Sequence, residues 1–299
     1  MCEIVGAGHE SGECGAAFEP PSMTSWSSHR APALDRNREL LDQAVGAVYK
    51  QAGPVELQAF LYGYDADAPP VLARPAIAFF HSSGWDQGNV SQFAPHGMYF
   101  AERGVVTALF DYRMRNRDGT SPLEAIADAR SAIRWLRLHA PTLGIDSTRI
   151  VAGGAAAGGH LAACAALLDE FDEPGEDLTL SCKPDALLLF NPVLDVSKKG
   201  FGLDRFPDPR LAKRANPLRH LRRGALPPTV IFHGTGDRVV PVTGSQAFAR
   251  RARWRRCPCE LVEFEGQGHG FWNFNVSPEH YEATVDTSER FLLEHRLLP

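Results

Sequence analysis

The chain has 299 residues, of which 44% are hydrophobic and 22% are charged, a composition typical of soluble globular proteins. Its 31 basic and 36 acidic residues give a formal net charge of −5, so bulk charge gives no reason to expect nucleic acid or an anionic membrane as a partner. No apolar run approaches the roughly 20 residues that cross a bilayer, and residues 1–30 lack the pattern of a signal peptide. We therefore favour a cytoplasmic protein, although a secreted chain that has lost its leader would share these features.

The six cysteines form no recognisable disulfide framework. Cys257 and Cys259 flank Pro258, but a CxC pair without histidines at ligand spacing is weak evidence for a metal site. We expect free thiols, no metal and no cofactor.

The first predicted elements follow a change in composition near residue 33. Residues 1–33 are rich in Gly, Ser, Pro and Glu and predict a loosely ordered arm, which leaves residues 34–299 as a single domain. The amphipathic stretch Arg38–Gln51 predicts a helix, and the alternation over Val55–Tyr62 predicts an edge strand.

Short apolar runs separated by helical patterns then predict an α/β fold with a doubly wound, mostly parallel sheet. The clearest helical pattern is Pro122–His139, with Ser121 as its N-cap. A polar, Arg-rich segment, 195–226, predicts either a small cap or a surface excursion. In such a sheet, ligands bind beyond the carboxyl ends of the strands. The predicted strands are 76–80, 105–110, 149–152, 186–190, 229–232 and 260–264.

Three of these strand ends carry unusual motifs. Residues 81–85 read HSSGW, residues 153–160 read GGAAAGGH, and residues 233–237 read HGTGD, with GQGHGF at 266–271 after one more strand. Together they resemble the hormone-sensitive-lipase and acetyl-xylan/feruloyl-esterase branch of the α/β hydrolases, from about Val55 to the C-terminus. The strings DYR at 111–113 and RWLR at 134–137 also resemble that branch.

The resemblance implies a nucleophile turn, an acid and a base. In the family the serine of G-x-S-x-G stands at a sharp strand-to-helix turn, and here Ala156 occupies its position. Asp237 matches the acid and His269 the base, in the family's chain order. A methyl group cannot attack a carbonyl, so we expect this chain to be nearly inert.

The resemblance also places an oxyanion hole in the backbone N–H groups of Ser83, Gly84 and Ala157. The family usually has His-Gly-Gly-Gly at the first of these loops, whereas Ser82 and Ser83 replace two glycines here. We expect the donors to survive and the loop to avoid strongly positive φ at these serines. Their hydroxyls would narrow the acyl pocket or add a donor.

Other polar and aromatic residues near these motifs have separate interpretations. We interpret His81 and His233 as hydrogen-bonding organisers of loops and His160 as structural. Asp195 is a weaker candidate for the acid than Asp237. Trp85 and Trp272 flank the predicted catalytic loops and are predicted to bind substrate. The last two residues stand beside the oxyanion loop and the base.

The resulting prediction is a serine carboxylic-ester hydrolase that forms an acyl-enzyme on small acyl esters, with acetyl and feruloyl esters of carbohydrates as candidates. Two explanations of Ala156 remain, a deliberate replacement of serine and a natural pseudo-hydrolase. Retention of both Asp237 and His269 favours the replacement. The alternatives in function are a non-catalytic ligand-binding protein and an amide-cleaving formamidase or peptidase.

Overall fold

A mostly parallel sheet organises the protein. The structure is a computed structural model that describes residues 33–65 and 73–298. Within this part of the chain, eight strands form one sheet in the order β1-β2-β4-β3-β5-β6-β7-β8. The two N-terminal strands run antiparallel to their neighbours, and the rest pair in parallel. The strands are β1 Val45–Ala52, β2 Val55–Tyr62, β3 Arg74–Phe80, β4 Val106–Phe110, β5 Ile145–Ala155, β6 Ala186–Phe190, β7 Thr229–Gly234 and β8 Cys259–Phe264.

Helices cover both faces of the sheet, because neighbouring side chains of a strand point to opposite faces. The ring of Phe79 lies against Phe93 and Phe100 on one face, whereas Phe80 contacts Phe110 on the other. The predicted doubly wound α/β fold is confirmed. The helices are α1 Ala33–Leu41, α2 Ala94–Ala101, α3 Arg115–Asp118, α4 Pro122–Leu138, α5 Ala140–Leu143, α6 Ala157–Leu167, α7 Pro209–Arg214, α8 Pro217–His220, α9 Val242–Trp254 and α10 Pro278–Glu294, with 3-10 turns at Val90–Phe93 and Leu203–Arg205.

The N-terminal elements correct two predictions. The predicted helix Arg38–Gln51 is wrong, because α1 ends at Leu41 and the following residues form strand β1. Gly53, at φ +61°, supports a tight hairpin in which Ala52 pairs with Val55. Pairing with β2 thus overrides the helical periodicity, and it also makes β1, not Val55–Tyr62, the edge strand.

The later elements follow the sequence more closely. Helix α4 begins after Ser121, whose side chain accepts from the backbone N–H of Leu123 in a capping box with Glu124. Residues Ala33–Pro299 form one compact unit, whereas the predicted arm over 1–33 lies, apart from Ala33, outside the described residues. None of the helices in the described ranges is long and apolar enough to cross a membrane.

Candidate active site

The sharpest backbone turn of the site lies at Ala156, between the end of β5 and the start of α6. Its φ of 49° and ψ of −111° are rare for a residue with a side chain. The turn is held by its own backbone groups. The Ala156 N–H donates to the carbonyl oxygen of Phe190 at 3.0 Å, and its carbonyl accepts from the N–H groups of His160 and Val193.

Glycines allow the chain to pass through this turn without collision. A Cβ at Gly158 would lie 2.0 Å from the carbonyl oxygen of Phe80, and one at Gly154 would lie 2.4 Å from the backbone of Gly158. A Cβ at Gly159 would meet the side chain of Pro192 at 2.8 Å. The steric reason for glycine at these positions, expected from the motif, is confirmed. Helix α6 can therefore start directly against the end of β3.

Asp237 and His269 meet in a short hydrogen bond. Nδ1 of His269 lies 2.7 Å from Oδ2 of Asp237, whose side chain is fully buried, while the His269 side chain is 25% exposed. The other carboxylate oxygen, Oδ1, accepts from the backbone N–H groups of Val239 and Val240 at 2.8 and 3.0 Å. The carboxylate therefore fixes the imidazole while its own position is fixed by the following loop.

The surroundings of Asp237 favour its ionised form. Burial alone would raise the pKa of this carboxyl, but hydrogen bonds with His233, His269 and Asn191 outweigh burial and hold the pKa well below its ordinary value. Nδ2 of Asn191 donates to Oδ2 of Asp237 at 2.5 Å. The sequence analysis missed Asn191. Its signal is a polar residue directly after the buried strand β6.

The turn at Ala156 and the side chain of Asp237 meet at the carboxyl end of β6. Phe190, the last residue of that strand, accepts from the Ala156 N–H, and the next residue, Asn191, donates to Asp237. Ala156, Asp237 and His269 are thus linked through two consecutive residues. The structure brings the three predicted positions to one edge of the sheet.

The loop after β3 lies against the start of α6. The absent Cβ of Gly158 would touch the carbonyl oxygens of Phe80 and His81, so the backbone of Ala157 approaches the loop that carries Ser83 and Gly84. Within the described part of the chain, the N–H groups of Ser83 and Gly84 donate to no acceptor. Positive φ falls on Gly84 and Trp85, not on either serine. These two N–H groups are therefore left without an acceptor among the described residues, beside the turn at Ala156.

The Ser83 hydroxyl is used within the loop. It accepts from the Trp85 N–H at 2.9 Å and lies 2.6 Å from the hydroxyl of Tyr112, which donates to the carbonyl of His81 at 2.7 Å. This hydroxyl therefore braces the loop instead of adding a donor to the site. Tyr112, which the sequence marks only as part of the DYR string, follows β4 at the same edge of the sheet.

The two predicted substrate-binding tryptophans do not present open faces. Trp85 is 1% and Trp272 is 2% exposed. Trp85 packs against His160 and against two rings of the 195–226 segment, Phe201 and Phe206. Trp272 stacks on Phe93. Contrary to the expectation, both rings support the loops from within, because neighbouring aromatic side chains already cover them.

The remaining polar candidates occupy structural positions. His160 lies 2.8 Å from the carbonyl oxygen of Ala215, and burial lowers its pKa to about 4. His233 bonds to Ser245 and to the carbonyl of Val240. Asp195 accepts from Ser197 and Asn216, away from His269. These contacts agree with the roles inferred for the histidines and leave Asp237 as the carboxylate next to the predicted base.

Comparisons with known proteins agree on one family. A family model described as BD-FAE matches residues 68–199. The structure resembles that of Thermogutta terrifontis esterase 2 phosphoramylated by tabun, with a TM-score of 0.81, 42% identity, and coverage of 86% of this chain and 97% of that one. The propionate-bound structure of Est2 from the same organism gives a TM-score of 0.79 at 41% identity, covering 86% and 96%.

A plant relative extends the comparison. The probable isoprenylcysteine alpha-carbonyl methylesterase ICMEL1 of Arabidopsis thaliana is 27% identical over 219 residues, which are 66% of this chain and 45% of that protein. The chain spans about half the length of the curated relatives it matches. The bacterial esterase, in contrast, is covered almost completely and shares the sheet described above. The chain therefore belongs to the α/β-hydrolase esterase family.

Proposed function

We propose that this chain is the nucleophile-deficient form of a serine carboxylic-ester hydrolase, in which Ala156 replaces the serine. Asp237 and His269 are the acid and base, and the N–H groups of Ser83, Gly84 and Ala157 form the oxyanion hole. The observation that carries the proposal is an ionised, hydrogen-bonded carboxylate–imidazole pair beside a strained turn that presents no nucleophile. Retention of both partners supports replacement of a serine over loss of function in the lineage.

The chemistry follows from the positions of these groups. With a hydroxyl at position 156, His269 would take its proton as the oxygen attacks the ester carbonyl, and would return it to the departing alcohol. Water would then hydrolyse the acyl-enzyme through the same imidazole. Asp237 would stabilise the imidazolium formed in each half-reaction. With a methyl group at this position, an ester can bind but cannot be acylated.

We propose small acyl esters as the substrates, with acetyl and feruloyl esters of carbohydrates as the preferred candidates. A relative 41% identical is known with propionate bound, which supports a short acyl group. Neither Trp85 nor Trp272 presents an open aromatic face, which favours acetyl over feruloyl.

The direct test is to make Ala156→Ser and measure hydrolysis of p-nitrophenyl acetate. We expect kcat to rise by about 10⁶, the usual cost of removing such a nucleophile. The matched control is Ala157→Ser, which places a hydroxyl one residue along the same turn and should restore nothing. A gain with neither variant would favour the ligand-binding alternative, and a larger gain on p-nitroacetanilide than on the ester would favour amide cleavage.

A further inference from the structure

A small pocket lined by several carboxamide side chains lies between the two loops that flank the predicted site. Its volume is about 250 Å³, below the roughly 300–1,000 Å³ of sites for drug-sized ligands, so it suits one small group. The described residues that line it are all uncharged, and five of them are carboxamides. Four of these carboxamides are Asn37, Asn89, Gln92 and Asn273.

Backbone contacts fix the direction of three of the amides. The side-chain oxygens of Asn89, Gln92 and Asn273 accept from the N–H groups of Ser91, Ser82 and Asn275, respectively, at 2.7–2.9 Å. Because only an amide oxygen can accept from an N–H, the NH₂ group of each side chain is left as a donor. Among the described residues, these NH₂ groups have no acceptor.

Asn37 adds an unused acceptor to these donors. It is 6% exposed, and its buried Oδ1 has no hydrogen-bond partner among the described residues. A buried polar atom without a partner carries a free-energy cost that a ligand can remove. The residues that line the pocket therefore carry several donors and a buried acceptor.

This combination selects a class of ligand. A hydroxyl both donates and accepts, so a group with several hydroxyls satisfies both the NH₂ donors and Asn37. A carboxylate or phosphate only accepts and would place negative charge against the Asn37 oxygen. An ammonium only donates, and an alkyl chain would leave all of these groups unsatisfied. A neutral polyol fits best.

Hydrogen bonds connect two of the lining residues to the loops of the predicted site. Gln92 holds the N–H of Ser82, the residue before the oxyanion donor Ser83. The N–H of Asn273 donates to the carbonyl of Gly270, the residue after His269. We propose that this carboxamide pocket binds a hydroxyl-rich alcohol half of the ester, a sugar ring or similar polyol, and so selects the leaving group. The inference rests on the proposed esterase function.

The test compares two acetates of similar shape in the Ala156→Ser enzyme, 6-O-acetylglucose and cyclohexylmethyl acetate. We expect kcat/KM to be at least about tenfold higher for the sugar ester. Asn89→Ser and Asn273→Ser keep a side-chain oxygen for the backbone N–H but remove the NH₂ donor. Each should lower the ratio of the two kcat/KM values about fivefold. The control Asn116→Ser, on exposed α3 outside the pocket, should leave the ratio unchanged.

Asn37→Leu should change kcat/KM for the two esters in opposite directions, which general destabilisation cannot do. Removing the unpaired acceptor should lower kcat/KM for the sugar ester and raise it for the cyclohexylmethyl ester. Equal rates on both esters, or the same change of ratio in Asn116→Ser as in the pocket variants, would overturn the inference while leaving ester hydrolysis intact.

Binding to the chain with Ala156 in place separates this inference from the proposed function. Saturation-transfer NMR should detect 6-O-acetylglucose, with a weaker signal in Asn273→Ser and no such loss in Asn116→Ser. If the Ala156→Ser enzyme cleaves no ester, the proposed function fails, and this binding comparison still decides the pocket. No binding, or binding that the pocket variants leave unchanged, would refute the polyol subsite.

Discussion

The turn at Ala156 and the Asp237–His269 pair lie at the same edge of the sheet but are held by different forces. At Ala156 no side chain makes a hydrogen bond, and the turn depends on glycines whose missing Cβ atoms would collide with neighbouring backbone. Asp237 is held instead by donors from three directions, which are Asn191, His269 and the backbone of the following loop. Steric clearance at the glycines therefore sets the turn, whereas hydrogen bonds to the carboxylate set the position of Asp237.

This difference means that the turn does not depend on a hydrogen bond from the side chain at position 156. The backbone groups of Ala156 make the hydrogen bonds of the turn, and the flanking glycines give it room. Asp237, by contrast, is itself the acceptor for the whole cluster. We therefore expect substitutions at either place to change catalysis. Stability should depend on backbone clearance at the turn and on the carboxylate at Asp237.

The largest expected effect is the loss of kcat when Asp237 is replaced. In the Ala156→Ser background, Asp237→Asn should reduce kcat about 10³- to 10⁴-fold, because the amide would place an NH₂ group against donors and would no longer stabilise the imidazolium. Kinetics on p-nitrophenyl acetate, with thermal melts to confirm folding, measure this. Asp195→Asn is the matched control and should change kcat less than twofold, and an equal loss there would mean that Asp237 is not the acid.

The next effect tests the steric side. Gly158→Ala should lower the free energy of unfolding by more than about 3 kcal/mol, because its Cβ would meet the Phe80 carbonyl oxygen at 2.0 Å. Gly268→Ala, beside His269, has nothing within 4 Å of the added Cβ and should cost less than about 1 kcal/mol. Urea unfolding of both variants measures the contrast, and similar costs would contradict a steric origin of the turn.

The same division separates what the sequence alone predicts from what it does not. The glycine pattern and the buried strands are local signals, so the turn at Ala156 and all six parallel strands were predictable, with shifted ends. The supports of the site were not. Asn191 and Tyr112 act through residues 46 and 31 positions away, and no spacing in the sequence records such contacts.

The departures of the structure from the sequence predictions have a common physical cause. The segment Val45–Ala52 has a helix-like distribution of apolar residues, but pairing with β2 decides its conformation. Trp85 and Trp272 stand beside the right loops, but packing against other aromatic rings buries them. In both cases tertiary packing, which the local sequence does not express, overrides the local pattern.

A pH-dependent effect separates the two regions further. Burial lowers the pKa of His160, on the helix that follows the turn, from 6.5 to about 4. The unfolded chain therefore takes up a proton between pH 6.5 and 4 that the folded chain does not, so stability falls as pH decreases through this window. The folded pKa of Asp237 is depressed, so its contribution to stability is lost only below its ordinary pKa. As the pH falls, stability is therefore lost first through His160, on the helix after the Ala156 turn.

His160→Gln tests this directly, since the amide Nε2 can still donate to the Ala215 carbonyl. The loss of unfolding free energy between pH 7.5 and pH 5 should shrink by about 2 kcal/mol relative to the unchanged chain. Urea titrations at the two pH values measure the difference. An unchanged loss would mean that His160 is not the neutral buried group inferred here.

The smallest expected effect tests whether the backbone at Ala156 is strained. Ala156→Gly should raise the free energy of unfolding by about 1 kcal/mol, because glycine accepts the positive φ of 49° at little cost and the gain exceeds its extra entropy when unfolded. Ala157→Gly, one residue into α6, should have the opposite sign and cost about 1 kcal/mol, since an ordinary helical residue gains nothing from glycine. Opposite signs at adjacent alanines would show that the flanking backbone imposes the strained conformation at position 156 whatever side chain stands there. Destabilisation by both variants would mean that alanine fits the turn without strain, and that the turn owes its shape to packing of the methyl group.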